Sequence, residues 1–267
     1  MEYREIVYKV EEHICTITLN RPEAMNALTN LTHIEIQDAV LQAGKDDNVR
    51  AIIITGAGRG FCAGDDIKKI FLDPSAADSK NRETWLKYLQ GEHIMSGARV
   101  LLNVNKPTIA AVNGAAVGYG CDIAVMCNMR IASEKARFGE VFLRVGLIPD
   151  ESLILLPRIV GLAKAYEMLL TTDIIDAQEA LRIGLVNKVV PHEELMPAAL
   201  ELAEKLAKKP PIAMKLAIEG IRRGMALPLE EFLQFHSMAF TFASETEDHI
   251  EGSKAFVEKR EPIFKGK

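Results

Sequence analysis

The sequence predicts an α/β fold, and three observations predict it. Continuous apolar runs at 49–55 and 107–112 have the length and composition of strands buried on both faces. Segments with helical periodicity alternate with such runs, the order expected of a parallel sheet crossed by helices. After Pro191 the strand signals stop and helical patterns run to the end. The chain therefore divides into an α/β core over 1–190 and a helical region over 191–267.

Residues 4–10 and 14–19 are β-rich runs around Glu11-Glu12-His13 and predict a hairpin. Asn20-Arg21-Pro22 breaks the pattern. A helix is predicted over 32–43, ending near Gly44. The strand at 49–55 opens into a glycine-rich loop, 56–64. A long helix over 83–102, a strand over 107–112, a helix over 118–126 and a strand over 129–132 follow. Pro211 suits the first turn of a helix that carries Ile212, Leu216, Ala217 and Ile221 on one face. Leu229, Phe232, Leu233, His236 and Phe240 keep helical spacing, which predicts His236 in the core. Ser244 and Glu247 have capping-box spacing for a last helix through Phe256.

Composition excludes several classes of function. A chain of 267 residues, 48% hydrophobic and 26% charged, has room for a sizeable core. A net charge of -5 and a pI near 5.8 argue against a nucleic-acid surface. The chain lacks a long unbroken apolar run, so no membrane span is expected. Its first residues, Met-Glu-Tyr-Arg-Glu, lack the pattern of a secretion signal. Cys15, Cys62, Cys121 and Cys127 are scattered without a C-x-x-C pair, and reduced thiols in the cytoplasm are expected. The histidines show no metal-ligand spacing, so no metal site is predicted. A Gly-x-Ser-x-Gly elbow is missing, which argues against a serine hydrolase.

Two glycine loops carry the functional signal. The stretch Thr108-Ile-Ala-Ala-Val-Asn-Gly-Ala-Ala-Val-Gly-Tyr-Gly-Cys-Asp122 runs from a buried strand into a helix. Backbone N–H groups at such a junction are unpaired and favour an anion. Gly56-Ala-Gly-Arg-Gly-Phe-Cys-Ala-Gly-Asp65 is a second loop after a second strand. It lacks the Gly-Lys-Ser/Thr of a P-loop, and Phe61 stands where a dinucleotide fingerprint needs its third glycine. Taken alone it reads as a plain turn. Together the loops have the parts of an oxyanion hole. A third constellation, Phe138 to Ser152, contains Pro149-Asp150-Glu151, where Asp150 has the features of a helix N-cap. Glu151 and Asp122 lie in first turns, where a carboxylate complements the helix dipole.

These residues resemble the enoyl-CoA hydratase/isomerase (crotonase) superfamily. The resemblance runs almost end to end, through Leu19-Asn-Arg-Pro-Glu-Ala-Met-Asn-Ala-Leu28, Phe61-Cys-Ala-Gly-Asp-Asp-Ile-Lys68, Lys106-Pro-Thr-Ile-Ala-Ala-Val-Asn-Gly114, Ala177-Gln-Glu-Ala-Leu-Arg-Ile-Gly-Leu-Val186 and Ala255-Phe-Val-Glu-Lys-Arg260. It implies a spiral of β-β-α units with a C-terminal helical trimerisation region. It implies an acyl-CoA thioester substrate, no cofactor beyond that coenzyme A, and a homotrimer or dimer of trimers. By position, the oxyanion donors are the backbone N–H groups of Asp65 and Tyr119. Coenzyme A is expected near Ala24, Met25, Ala27 and Ala63, with Lys68 at a phosphate and Phe256 and Lys259 approaching from a neighbouring subunit. For the lysines, ordinary surface charge is the competing explanation.

The chain departs from the hydratase pattern at both of its glutamates, and keeps a carboxylate at only one. The first falls at Asp122, and the second falls at Phe142, which carries no proton. Phe142, Leu143 and Trp85 are expected in the acyl pocket. Asp150 matches the acidic position of isomerase branches, which implies double-bond isomerisation with Asp150 as acid and base, and Glu151 in reserve. Hydration by Asp122 and Asp150 is the alternative, ahead of an aryl-CoA dehalogenase or a non-catalytic acyl-CoA binder.

Overall fold

The computed structural model describes residues 2–72 and 97–267. Most of the helix expected over 83–102 lies outside them, as does Trp85, and residues Gly97–Leu102 form a 3-10 helix.

The main sheet has six strands. They are β1 (Ile6–Glu11), β2 (Ile14–Leu19), β3 (Ala51–Gly56), β4 (Thr108–Val112), β6 (Met129–Ser133) and β9 (Lys188–Val190), in the order β1-β2-β3-β4-β6-β9. Among the described strands of this sheet, only β1 and β2 pair antiparallel, as the expected hairpin. Its turn bends at Glu12 and His13, both at positive φ. The apolar runs are continuous because both faces of the sheet are covered. Ile52, Ile54, Ala110 and Val112 pack with Ile36, Ala39 and Val40 of α1 (Asn30–Lys45). The alternate residues Ile53, Ile109 and Ala111 pack with Leu195, Ala199 and Ala203 of α7 (Leu195–Ala207).

A second, three-stranded sheet is built from β5 (Ala115–Val117), β7 (Arg137–Gly139) and β8 (Ile175–Asp176), in the order β5-β7-β8. The expected glycine turn after Asn113 thus contains a strand. Ala115–Val117 is too short and too small-chained to show strand periodicity. The helices of this part of the chain are α2 (Ile67–Ile70), α3 (Tyr119–Met126), α4 (Ser152–Val160), α5 (Leu162–Thr171) and α6 (Ala177–Arg182). The buried Arg130 guanidinium donates to the carbonyls of Ala124, Val125 and Cys127 and so closes the C-terminal end of α3.

The chain ends in α8 (Pro211–Gly224), α9 (Leu229–Ser244) and α10 (Glu247–Glu258). Two expectations fail here. The cap of α10 is Thr246, whose side chain accepts the His249 amide, while Ser244 closes α9. His236 is exposed, in a ridge with Phe232 and Phe240, because this face of α9 is uncovered in a single chain. Among the described residues, no helix is long and apolar enough to cross a membrane.

Candidate active site

The two glycine loops lie side by side. Cys62 accepts the Val117 amide at 3.0 Å and donates to the Ala115 carbonyl at 2.9 Å. Beyond these bonds the chain reaches Gly64, at φ +83°, and Gly118, at φ +54°. Both need the freedom of glycine. A Cβ placed on Gly64 would stand 2.9 Å from the Val117 carbonyl oxygen and 3.3 Å from the Tyr119 nitrogen. The next amides on the two loops are those of Asp65 and Tyr119. Among the described residues, no carbonyl or side chain accepts from either. Two unpaired donors this close can hold negative charge on one oxygen.

Side-chain amides hold the first loop in shape. Asn26 donates to the carbonyls of Ala57 and Gly60 at 2.9 and 2.8 Å. Asn113 donates to those of Gly58 and Gly60, both at 3.0 Å. The segment 24–28 is drawn beside it, with Ala63 N–H on Met25 O at 3.0 Å and Leu28 N–H on Gly64 O at 2.9 Å. Ala24, Met25, Ala27 and Ala63 are thereby brought together, each partly exposed. Lys68 is exposed on α2, close in sequence to this wall. Phe256 and Lys259 are exposed at the end of α10, and Phe256 lines a separate groove with Phe240 and Phe264.

A group of carboxyls lies near the second loop, with Glu151, Asp122 and Asp150 within electrostatic reach of Tyr119. Asp122, on α3, is fully buried, and its Oδ1 accepts the Ser152 amide at 2.6 Å. It therefore satisfies the N-terminus of a different helix, α4, rather than only its own first turn. Burial, followed by the neighbouring Glu140, holds Asp122 well above the usual carboxylate range. Asp150 does not cap α4 through its side chain, contrary to expectation. Its Oδ1 pairs with Arg99 Nη2 at 3.3 Å, and its side chain is 37% exposed. Burial raises Asp150, Glu151 adds to that, and Arg99 opposes it. Glu151 pairs with the Arg99 Nε and buries its other oxygen without a partner among the described residues. Phe142 is 9% exposed and Leu143 42% exposed, at the 3-10 turn after Glu140.

Sequence reasoning missed three residues of this group. Glu140 is fully buried and accepts the Ser152 hydroxyl at 2.7 Å. A carboxylate in the apolar run after Gly139 was the available signal. Arg99 falls in the segment expected as plain helix. His33, in the first turn of α1, bonds the Asp65 carboxylate at 2.9 Å, with its ring edge toward the Tyr119 ring at 5.1 Å.

The fold and site together define an α/β protein with paired backbone donors near a set of carboxyls. Comparisons with known proteins make the class specific. The model of the enoyl-CoA hydratase/isomerase family matches residues 9–267. The chain is similar to a crotonyl-CoA hydratase of Syntrophomonas wolfei, 38% identical over 266 residues and 99% of each chain. It is similar to a short-chain-enoyl-CoA hydratase of Clostridium acetobutylicum, 39% identical over 263 residues and 97% of each. A crystal structure of an enoyl-CoA hydratase from Bacillus anthracis superposes with a TM-score of 0.87 at 35% identity, covering 99% of this chain and 100% of that one. The protein belongs to the enoyl-CoA hydratase/isomerase family and has the crotonase fold.

Proposed function

We propose that the protein adds water across the double bond of an α,β-unsaturated acyl-CoA thioester. The observation that carries the reading is the unequal pair of carboxyls beside the free amides. Asp122 is dry and burial holds it well above the usual carboxylate range, while Asp150 is 37% exposed and pairs with a guanidinium. Groups whose environments differ in this way can divide acid and base roles. Asp150 takes a proton from water as the water oxygen bonds to Cβ. The electron pair of the double bond moves to the thioester oxygen, held by the amides of Asp65 and Tyr119. Asp122 then protonates Cα, and transfer of the proton from Asp150 to Asp122 resets the pair. The activities of the similar proteins, crotonyl-CoA and short-chain-enoyl-CoA hydration, support this order of preference over isomerisation.

Isomerisation is the second reading, and Phe142 favours it. Phe142 stands where the resemblance implies a second glutamate, which leaves Asp150 to take a γ-proton and return it to Cα. Turnover in oxygen-18 water separates the two. Hydration incorporates one solvent oxygen into the product, and isomerisation incorporates none.

The rest of the proposal concerns assembly and binding. The 24–28 segment, Ala63 and Lys68 hold the coenzyme A portion of the substrate, Phe142 and Leu143 border the acyl chain, and no further cofactor is used. The helical region 191–267 assembles a trimer or dimer of trimers, supported by the exposed Leu233, Phe240 and Phe242. Phe256 and Lys259 then approach the neighbouring copy's coenzyme A. Free, buried thiols support a cytoplasmic location.

A further inference from the structure

Glu140 has no part in the steps above, yet its surroundings are unusual. It follows β7 and is 0% exposed. Its Oε1 accepts the Ser152 hydroxyl at 2.7 Å, and the Ser152 amide donates to Asp122 Oδ1 at 2.6 Å. One serine thus holds two buried carboxyls, by its hydroxyl and by its amide. The second oxygens, Glu140 Oε2 and Asp122 Oδ2, have no hydrogen-bond partner among the described residues. Glu140 is faced by the Cys121 thiol from α3, Ser152 from α4, and Asp150 and Glu151 from the preceding turn. Asp122 is faced by Glu140, Ser152 and Glu151. The nearby guanidinium, Arg99, is committed to Asp150 and Glu151. With no cation bonded to either carboxyl among the described residues, two negative charges here are strongly disfavoured. A proton retained by the pair relieves the repulsion.

We propose that Glu140 is a positioning residue that acts through Ser152 on Asp122, so that the pair retains a proton and Asp122 stays the donor to Cα. The proposal rests on the acyl-CoA reading for the role of Asp122. Burial pushes Glu140 up to about 7 and holds Asp122 well above its ordinary range, in keeping with that geometry.

The test is an infrared pH titration of the full, ligand-free chain, following the protonated-carboxyl band in wild type, Glu140→Gln and Asp122→Asn. Gln keeps an acceptor for the Ser152 hydroxyl and removes the charge. The Asp122 band is expected to titrate at a pH lower by about one unit in Glu140→Gln, a tenfold change in proton affinity. The alkaline limb of kcat moves in the same direction while KM stays unchanged. Glu140→Met is the second variant and gives the same shift. An unchanged Asp122 titration in either folded variant overturns the proposal. Unchanged turnover in Asp122→Asn overturns the donor role itself, and the infrared titration, which uses no substrate, tells the two failures apart.

Discussion

Gly64 approaches Tyr119 so closely that one added carbon would sit 3.3 Å from the Tyr119 amide nitrogen. This contact is what places the amides of Asp65 and Tyr119 next to one another. Gly64→Ala would strain a residue at φ +83° and push the loops apart. The expected result is a fall in kcat of about 100- to 1,000-fold, the usual effect of losing one oxyanion donor. Steady-state kinetics on an enoyl-CoA, with circular dichroism as the folding control, would check this.

Asp150→Asn keeps the shape of the side chain and removes the base. Its kcat is expected to fall by about 100- to 10,000-fold. Folding is expected to hold, because Asp150 does not cap α4 and its side chain is 37% exposed. Turnover within twofold of wild type would remove Asp150 from the mechanism.

Arg99 opposes the rise of Asp150. In Arg99→Met that restraint is lost and Asp150 ionises at higher pH. The acid limb of kcat/KM is expected to move to higher pH, since the ionised carboxylate is the base. A pH profile of the variant measures it, and a shift to lower pH would contradict the arrangement.

Glu140 also links pH to stability. Its folded pKa is raised from 4.5 to about 7, so the folded state binds more protons than the unfolded state between those values. Stability contributed by this group is full below pH 4.5 and declines as pH rises toward 7. Over that interval Glu140→Gln is expected to gain stability relative to wild type, by about 3 kcal/mol at most. Urea denaturation at a series of pH values would show the gain, and parallel curves would rule it out.

Much of this was legible in the sequence because it depends on local pattern. The runs at 49–55 and 107–112 became β3 and β4, since burial of both faces demands continuous apolar residues. The glycine loops were legible because positive φ at Gly64 and Gly118 favours glycine. Bonds made across the fold were not. Asp122 reaches an amide thirty positions away, |i−j| = 30, and Asp150 turns to Arg99 at |i−j| = 51. At both residues a local helix-end explanation was available and incomplete. Thr246 in place of Ser244 is the reverse case, a cap misplaced by two positions because both residue types cap well.

The central claim is that an enolate forms on a thioester held at Asp65 and Tyr119 and is protonated at Cα by the nearby carboxyls. Turnover of an enoyl-CoA in heavy water tests it most directly. The account predicts one deuterium at Cα of the product, with its formation slowed by about 100- to 10,000-fold in Asp150→Asn. A product without deuterium at Cα, or no turnover of any enoyl-CoA by the folded protein, would contradict it.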